Sequence, residues 1–142
     1  MKKFLFALSA LALVACFTAG CSKDQTNTEK LTGRWRAEET ELDLGNNGSI
    51  DSISAPDPCD ADDDITFAAN GGLSIVYNTL CDPNDPATGT GTWAFSANES
   101  ILSFTFGGAF TLSYTIDELT SDHMKLSILQ GSDKLTTHFH KQ

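Results

Sequence analysis

Phe110-Thr111-Leu112-Ser113-Tyr114-Thr115-Ile116 alternates a large apolar side chain with a small hydroxyl at every step. A period of two marks a β-strand with one dry face and one wet face. Strands of this kind build antiparallel sheets covered on one side only, because a strand buried on both faces reads as an unbroken apolar run. The alternation recurs at Trp93 and Phe95, at Leu102, Phe104 and Phe106, at Met124, Leu126 and Ile128, and at Leu135, Thr137 and Phe139. Turn residues fall between these runs at Ala97-Asn98-Glu99, Gly107-Gly108, Asp117 to Asp122 and Gly131-Ser132-Asp133. Connections this short make neighbours in sequence neighbours in space. No segment sustains a helical period, so the expected fold class is all-β, an antiparallel up-and-down barrel of eight strands, or nine.

Working back toward the N-terminus, Leu31, Gly33, Trp35 and Ala37 share one phase, whereas Leu42 and Leu44 have the opposite one. That change of phase predicts a bulge or bend around Glu38-Glu39. Gly45-Asn46-Asn47-Gly48 is turn chemistry, and Ser49 to Ser54 would return as a short strand. Ile65-Thr66-Phe67 resumes a strand, Asn70-Gly71-Gly72 turns it, and Leu73, Ile75 and Tyr77 share a face on the next. The phases send Trp35, Phe67, Tyr77, Trp93, Phe95, Phe104, Phe106, Phe110, Tyr114 and Phe139 inward. An eight-stranded barrel is just wide enough to be filled by side chains or to hold one small ligand. So many rings predict a mostly filled interior with a shallow site at the open end near Tyr77 or Tyr114. Tyr77, Trp93, Phe104 and Tyr114 are the candidate ligand-lining residues.

The first twenty residues read as an export signal: Lys2-Lys3, then an apolar run from Phe4 to Phe17, too short to span a bilayer comfortably. Leu13-Val14-Ala15-Cys16 and Thr18-Ala19-Gly20-Cys21 both resemble the bacterial lipobox, whose cysteine is acylated and becomes the new N-terminus. Leu13 fits that pattern better than Thr18. Cysteine arithmetic favours the second site, because cleavage before Cys16 leaves an odd thiol among Cys21, Cys59 and Cys81 in an oxidising compartment. Lipidation is therefore expected at Cys21, with residues 21–30 a polar tether, residues 31–142 the barrel domain, and the outer membrane, with Ser22-Lys23-Asp24 suiting its cell-surface side, the destination. Removing residues 1–20 leaves 122 residues, room for one core, and moves the formal net charge from −10 to −12. Such a surface repels phosphate backbones and anionic headgroups, so no nucleic-acid partner is expected.

Ala55 to Asp64 carries Pro56 and Pro58, then Cys59 followed by Asp60-Ala61-Asp62-Asp63-Asp64, which predicts a surface loop. Cys81 opens a second such loop, Asp82-Pro83-Asn84-Asp85-Pro86. The two cysteines flank one predicted hairpin, and a Cys59–Cys81 disulfide is expected. Asp60, Asp62 and Asp64 imitate the first ligands of an EF-hand loop, but Ile65 stands where that loop needs glycine and Gly71 where it needs glutamate. They remain a weak Ca²⁺ candidate, and a solvated loop is the default. His138-x-His140 would aim two imidazoles at one face, with His123 adjacent. Because Phe139 points to the core and no carboxylate lies close in sequence, that trio reads as a solvated outer face. No Gly-x-Ser-x-Gly elbow occurs, no thiol is left free as a nucleophile, and no inward carboxylate appears on the clean strands. The expectation is a non-enzyme with no catalytic residues, no cofactor and no bound metal.

Leu31-Thr32-Gly33-Arg34-Trp35 resembles the Gly-x-Trp opening of lipocalins, in which the tryptophan plugs the closed end of an eight-stranded barrel. The acid-flanked Cys59, Ile65-Thr66-Phe67, Cys81 and Gly91-Thr92-Trp93 are similar in layout to the lipocalin-like domain of short Gram-negative lipoproteins. The resemblance runs from Leu31 to about Phe139. It implies a structural role for Gly33 and Trp35. The later motifs and the C-terminal helix of secreted animal lipocalins are missing. The leading expectation is a monomeric, lipid-anchored binding protein for a small apolar or amphipathic ligand at the barrel mouth. The alternative is a filled-barrel interaction module whose acidic loops contact a glycan or a protein, including inhibition of a hydrolase.

Overall fold

The computed structural model describes residues 24–142. The expected signal sequence, Cys16 and Cys21 lie outside the described residues. A short helix α1 (Asn27–Leu31) precedes nine strands: β1 (Gly33–Asp43), β2 (Ser52–Ser54), β3 (Asp64–Phe67), β4 (Gly72–Val76), β5 (Thr88–Phe95), β6 (Ile101–Phe106), β7 (Phe110–Leu119), β8 (His123–Gln130) and β9 (Asp133–Lys141). They form one antiparallel sheet in the order β2-β1-β3-β4-β5-β6-β7-β8-β9, and β1 also pairs with β9. That last pairing closes an eight-stranded barrel with β2 as an extra short strand, so the sheet has no open central edge to invite association.

β2 and β3 lie along the same edge of β1. Thr40 opposes Ser54 and Trp35 opposes Ile65, so five steps along β1 are matched by eleven along the returning chain. The six surplus residues leave the wall as a loop, which carries Cys59. The expected return strand from Ser49 shrinks accordingly to three residues. The phase change in β1 is a bulge: Ala37 opposes Phe139 and Glu39 opposes His138, leaving Glu38 unpaired. A second bulge at Asp117 lets β7 run on to Leu119, where the sequence pointed to a turn. Along β7, Leu112, Tyr114 and Ile116 are half-buried while Thr111, Ser113 and Thr115 are exposed. The wet face is laced by hydroxyl pairs, Ser103 to Ser113 and Thr105 to Thr111, each 2.9 Å.

The core fills the end where β1 starts and β9 finishes. Leu31, Trp35, Phe67, Leu73, Trp93, Leu102, Phe104, Met124, Leu126 and Phe139 are its buried members. Of the ten aromatics expected inward, eight belong to this cluster or pack on it; Tyr77 and Phe110, both toward the other end, do not. Trp35 is 0% exposed, and its Nε1–H donates to Leu31 O at 2.7 Å. Lys141 Nζ donates to Lys30 O at 2.7 Å and sits 5.2 Å from the centre of the Trp35 ring. Two of the carbonyls that a helix C-terminus leaves without partners are thus satisfied by barrel side chains. Gly33 has φ +135°, a conformation that favours glycine, and a Cβ there would displace the Lys141 stem, whose Cε would be 2.5 Å away. Order was expected to start at Leu31, yet the chain is already helical from Asn27. Thr26 and Glu29 form a reciprocal capping box that starts this helix.

Candidate functional site

The connections 44–51 and 77–87 and the tight turns 107–109 and 131–132 lie at the opposite, open end; loop 55–63 leaves the wall part-way along β1 and joins loop 77–87. Among the described residues the exposed large hydrophobics are Leu44, Ile50, Ile53, Val76, Phe110 and Leu129, and all six belong to this end. Phe110 has the inward phase, pairing with Phe106, but at the rim it is 60% exposed.

Cys59 and Cys81 are joined as expected, with Cα atoms 5.4 Å apart. The bond ties loop 55–63 to loop 77–87 and forms one side of a cavity of about 280 Å³ at the mouth. Tyr77, Leu80 and Pro86 are the apolar residues lining the cavity; Asp60, Asp85 and Thr79 are the polar ones. Tyr77 is held there because its backbone N–H donates to Ala87 O at 3.0 Å and because Gly89, on the neighbouring strand, leaves room for the ring; a Cβ at Gly89 would lie 3.2 Å from the Tyr77 hydroxyl.

The other candidate lining residues sit deeper. Trp93 is buried, donates from Nε1 to Ala68 O at 3.0 Å and meets Phe67 and Phe95 edge to face. Phe104 is buried against Phe67 and Tyr114. Tyr114 lies at mid-barrel, where burial pushes its phenol above the ordinary tyrosine value. Of the four, Tyr77 is the one that touches the mouth cavity.

Asp60, Asp62 and Asp64 do not converge. Asp60 faces the cavity. Asp62 Oδ2 accepts from the Thr79 hydroxyl at 2.9 Å, while its Oδ1 is buried without a hydrogen bond. Asp64 turns to the outer wall, where Arg36 donates to it at 2.7 Å and Arg34 approaches to 3.6 Å. Burial works to raise the Asp64 carboxyl, but Arg36, Arg34 and Asn78 together outweigh it and hold the group below its ordinary value. Asp63 goes the other way, raised by burial and then by the charges of Asp60, Asp62 and Asp64. Asp57 lies beside the two cysteines, but their oxidation to a disulfide removes the thiolates a metal would need.

A different cluster was hidden from the sequence. The β1 bulge turns Glu39 and Glu41 to the outer face, and pairing with β9 sets His138 between them. Its Nδ1 is 3.2 Å from Glu39 and its Nε2 3.1 Å from Glu41. His123 and His140 stack next door with ring centres 5.0 Å apart. The phase change at Glu38-Glu39 was the available signal, because it implies that the residues after it point out together.

A model of the lipocalin-like domain matches residues 31–126. Among solved structures, a lipocalin-like protein from Bacteroides uniformis superposes with a TM-score of 0.54 at 13% identity, covering 80% of this chain and 99% of that one. No match was found among curated proteins. The Gly33-x-Trp35 closed end, the closed eight-stranded wall and a domain match over more than half of the chain agree: the protein belongs to the lipocalin-like domain family.

Proposed function

We propose that this protein is a lipid-anchored, non-enzymatic lipoprotein that binds a small amphipathic ligand at the barrel mouth. The observation that carries the reading is the cavity of about 280 Å³ beside the Cys59–Cys81 bond, whose lining combines Tyr77, Leu80 and Pro86 with the carboxylates of Asp60 and Asp85. An apolar body would lie on the ring and aliphatic wall, and a cationic or hydrogen-bond-donating head would meet the carboxylates. The packed rings below limit depth, so binding is shallow. The chain enters the barrel through α1 at the closed end. A lipid on Cys21 would therefore hold that end toward the outer membrane and present the mouth, and its apolar rim, away from it, with the barrel acting as a monomer.

Fluorescence titration with N-phenyl-1-naphthylamine, competed by tetradecyltrimethylammonium or by tetradecyl sulfate below their micellar concentrations, tests the site. The ammonium should compete better, and Tyr77→Ala should weaken probe binding at least about fivefold, roughly 1 kcal/mol. Binding indifferent to Tyr77→Ala, or equal competition by the sulfate, would defeat the reading. For the anchor, Cys21→Ala should abolish fatty-acid labelling; labelling lost only in Cys16→Ala would move the acceptor there. The second reading, loops that contact a glycan or protein, is favoured by the cavity's size, just below the usual ligand range of about 300–1,000 Å³, and by the six exposed hydrophobics at the open end of the barrel. A glycan or partner retained by the intact chain but not after Cys59→Ser/Cys81→Ser would support that second reading.

A further inference from the structure

We propose that Glu39, Glu41 and His138 form a divalent transition-metal site, with zinc the matching ion, on the outer wall of the barrel. The three residues offer one ligand atom each, two carboxylate oxygens and one imidazole nitrogen, all within 4.8 Å of one another. Oxygen and nitrogen donors at about 2.0–2.2 Å from zinc in tetrahedral array stand roughly 3.3 Å apart. The Glu41 Oε1 to His138 Nε2 distance of 3.1 Å is already at that spacing. The longest separation closes by rotation of the Glu39 side chain, which is 42% exposed and free to swing, whereas Glu41 at 20% and His138 at 14% are held.

Two further observations point to a cation. His138 Nε2 is buried and makes no hydrogen bond, because the nearby Glu41 oxygen lies off the line of its N–H. A buried nitrogen in that condition is destabilising unless something coordinates it. Charge is also unbalanced: among the described residues, the ion pairs of Glu39 and Glu41 are both to His138. The nearest strong bases are engaged elsewhere, Arg36 with Asp64 and Lys125 with Glu118. Two carboxylates thus share one imidazole, and a doubly charged ion held by a neutral His138 would balance them. The backbone arrangement is rigid, since the ligands come from adjacent, fully paired stretches of β1 and β9. An O₂N donor set with one coordination position left to solvent suits zinc, and suits calcium poorly because calcium takes six or more oxygens.

The test is titration of the full chain with Zn²⁺ by calorimetry, and with Co²⁺ by visible absorption, whose intensity reports four-coordinate geometry. Wild-type protein should bind one ion. Glu41→Gln and Glu39→Gln, both outward-facing on the barrel wall, should each weaken binding at least tenfold and His138→Ala should abolish it, whereas His123→Ala and His140→Ala should leave the affinity within twofold. Absence of binding below 1 mM zinc overturns the proposal. So does binding lost with His123→Ala or His140→Ala but kept in Glu41→Gln, which would place the ion on the stacked histidine pair.

Discussion

Trp35→Phe tests whether the closed end is a latch or merely a filler. The indole N–H donates at 2.7 Å to Leu31 O in a wholly buried setting. Phenylalanine removes the donor and leaves the carbonyl dry, at a cost of about 1–3 kcal/mol. The smaller ring also leaves a void worth about 1 kcal/mol. The sum, roughly 2–4 kcal/mol, is a large share of the 5–15 kcal/mol typical of a domain. Lys141→Met keeps the stem over the ring but loses the cation on the indole face, about 0.5–2 kcal/mol, and the hydrogen bond to Lys30 O. Because both side chains hold successive carbonyls of the same five-residue helix, their losses should couple; a double-mutant cycle in urea should return an interaction of about 0.5–1.5 kcal/mol. A helix this short has no stability of its own. Hydrogen exchange at the Lys30 and Thr32 amides, which donate to Thr26 O and Thr28 O, should therefore accelerate in Trp35→Phe before the strands respond. A loss below about 0.5 kcal/mol with unchanged exchange at those amides would refute the latch.

Cys59→Ser/Cys81→Ser opens a loop of 22 residues and should cost about 3 kcal/mol on the chain-entropy account, read as a lower urea midpoint with unchanged slope. Asp63→Asn and Asp64→Asn should act with opposite signs at neutral pH. The raised Asp63 carboxyl disfavours its ionised form in the folded state, so the substitution should raise stability at pH 7 and gain nothing at pH 2, below the ordinary value of 3.8. The lowered Asp64 carboxyl contributes stability above 3.8 that is lost as pH falls through its folded value. Asp64→Asn should therefore cost about 1–3 kcal/mol at pH 7 and progressively less as pH falls below 3.8; urea titrations at pH 7 and pH 2 check both.

Where side-chain alternation carries the information, the fold was open to reading: β7 begins at Phe110 as the pattern indicates, and the bulge in β1 sits where the apolar phase changes. Helix α1 escaped because Thr26 to Lys30 has nothing apolar to show a period; its stability comes from the capping box and from Trp35 and Lys141, one of them over a hundred residues away. The interruption between β2 and β3 escaped because prolines and aspartates announce a loop without saying that the strand resumes beyond it on the same edge. At the mouth, Tyr77 and the disulfide were legible from phase and compartment, but the contribution of Leu80 and Pro86 depends on how two loops fold over each other. The outer-wall cluster needed a register that joins residues nearly a hundred positions apart, Glu39 and Glu41 to His138. Local spacing contains no such term.

The bulge at Glu38 leads to an expectation that runs against the usual behaviour of strands. Deleting one residue from mid-strand normally turns every later side chain to the wrong face. Before the bulge, Gly33, Trp35 and Ala37 point inward; after it, Thr40 and Leu42 do, opposite Thr137 and Leu135 of β9. Glu38 has no partner on β9, and neither β2 nor β3 reaches it on the other edge. Removing it would set Glu39 directly after Ala37, still outward and still opposite His138, and leave Thr40 and Leu42 inward in an unbroken ladder. The deletion should therefore fold, with a loss within about 2 kcal/mol from the altered twist of the strand. Deleting Lys125 from β8, which pairs with β9 without interruption, is the contrasting case. Met124 and Leu126, both buried, would become adjacent and could not both face the core. That chain should not show a cooperative urea transition. If the Glu38 deletion failed to fold alongside it, the extra residue would be a required corner of the barrel wall, and the outward turn of Glu39 and Glu41 would depend on it.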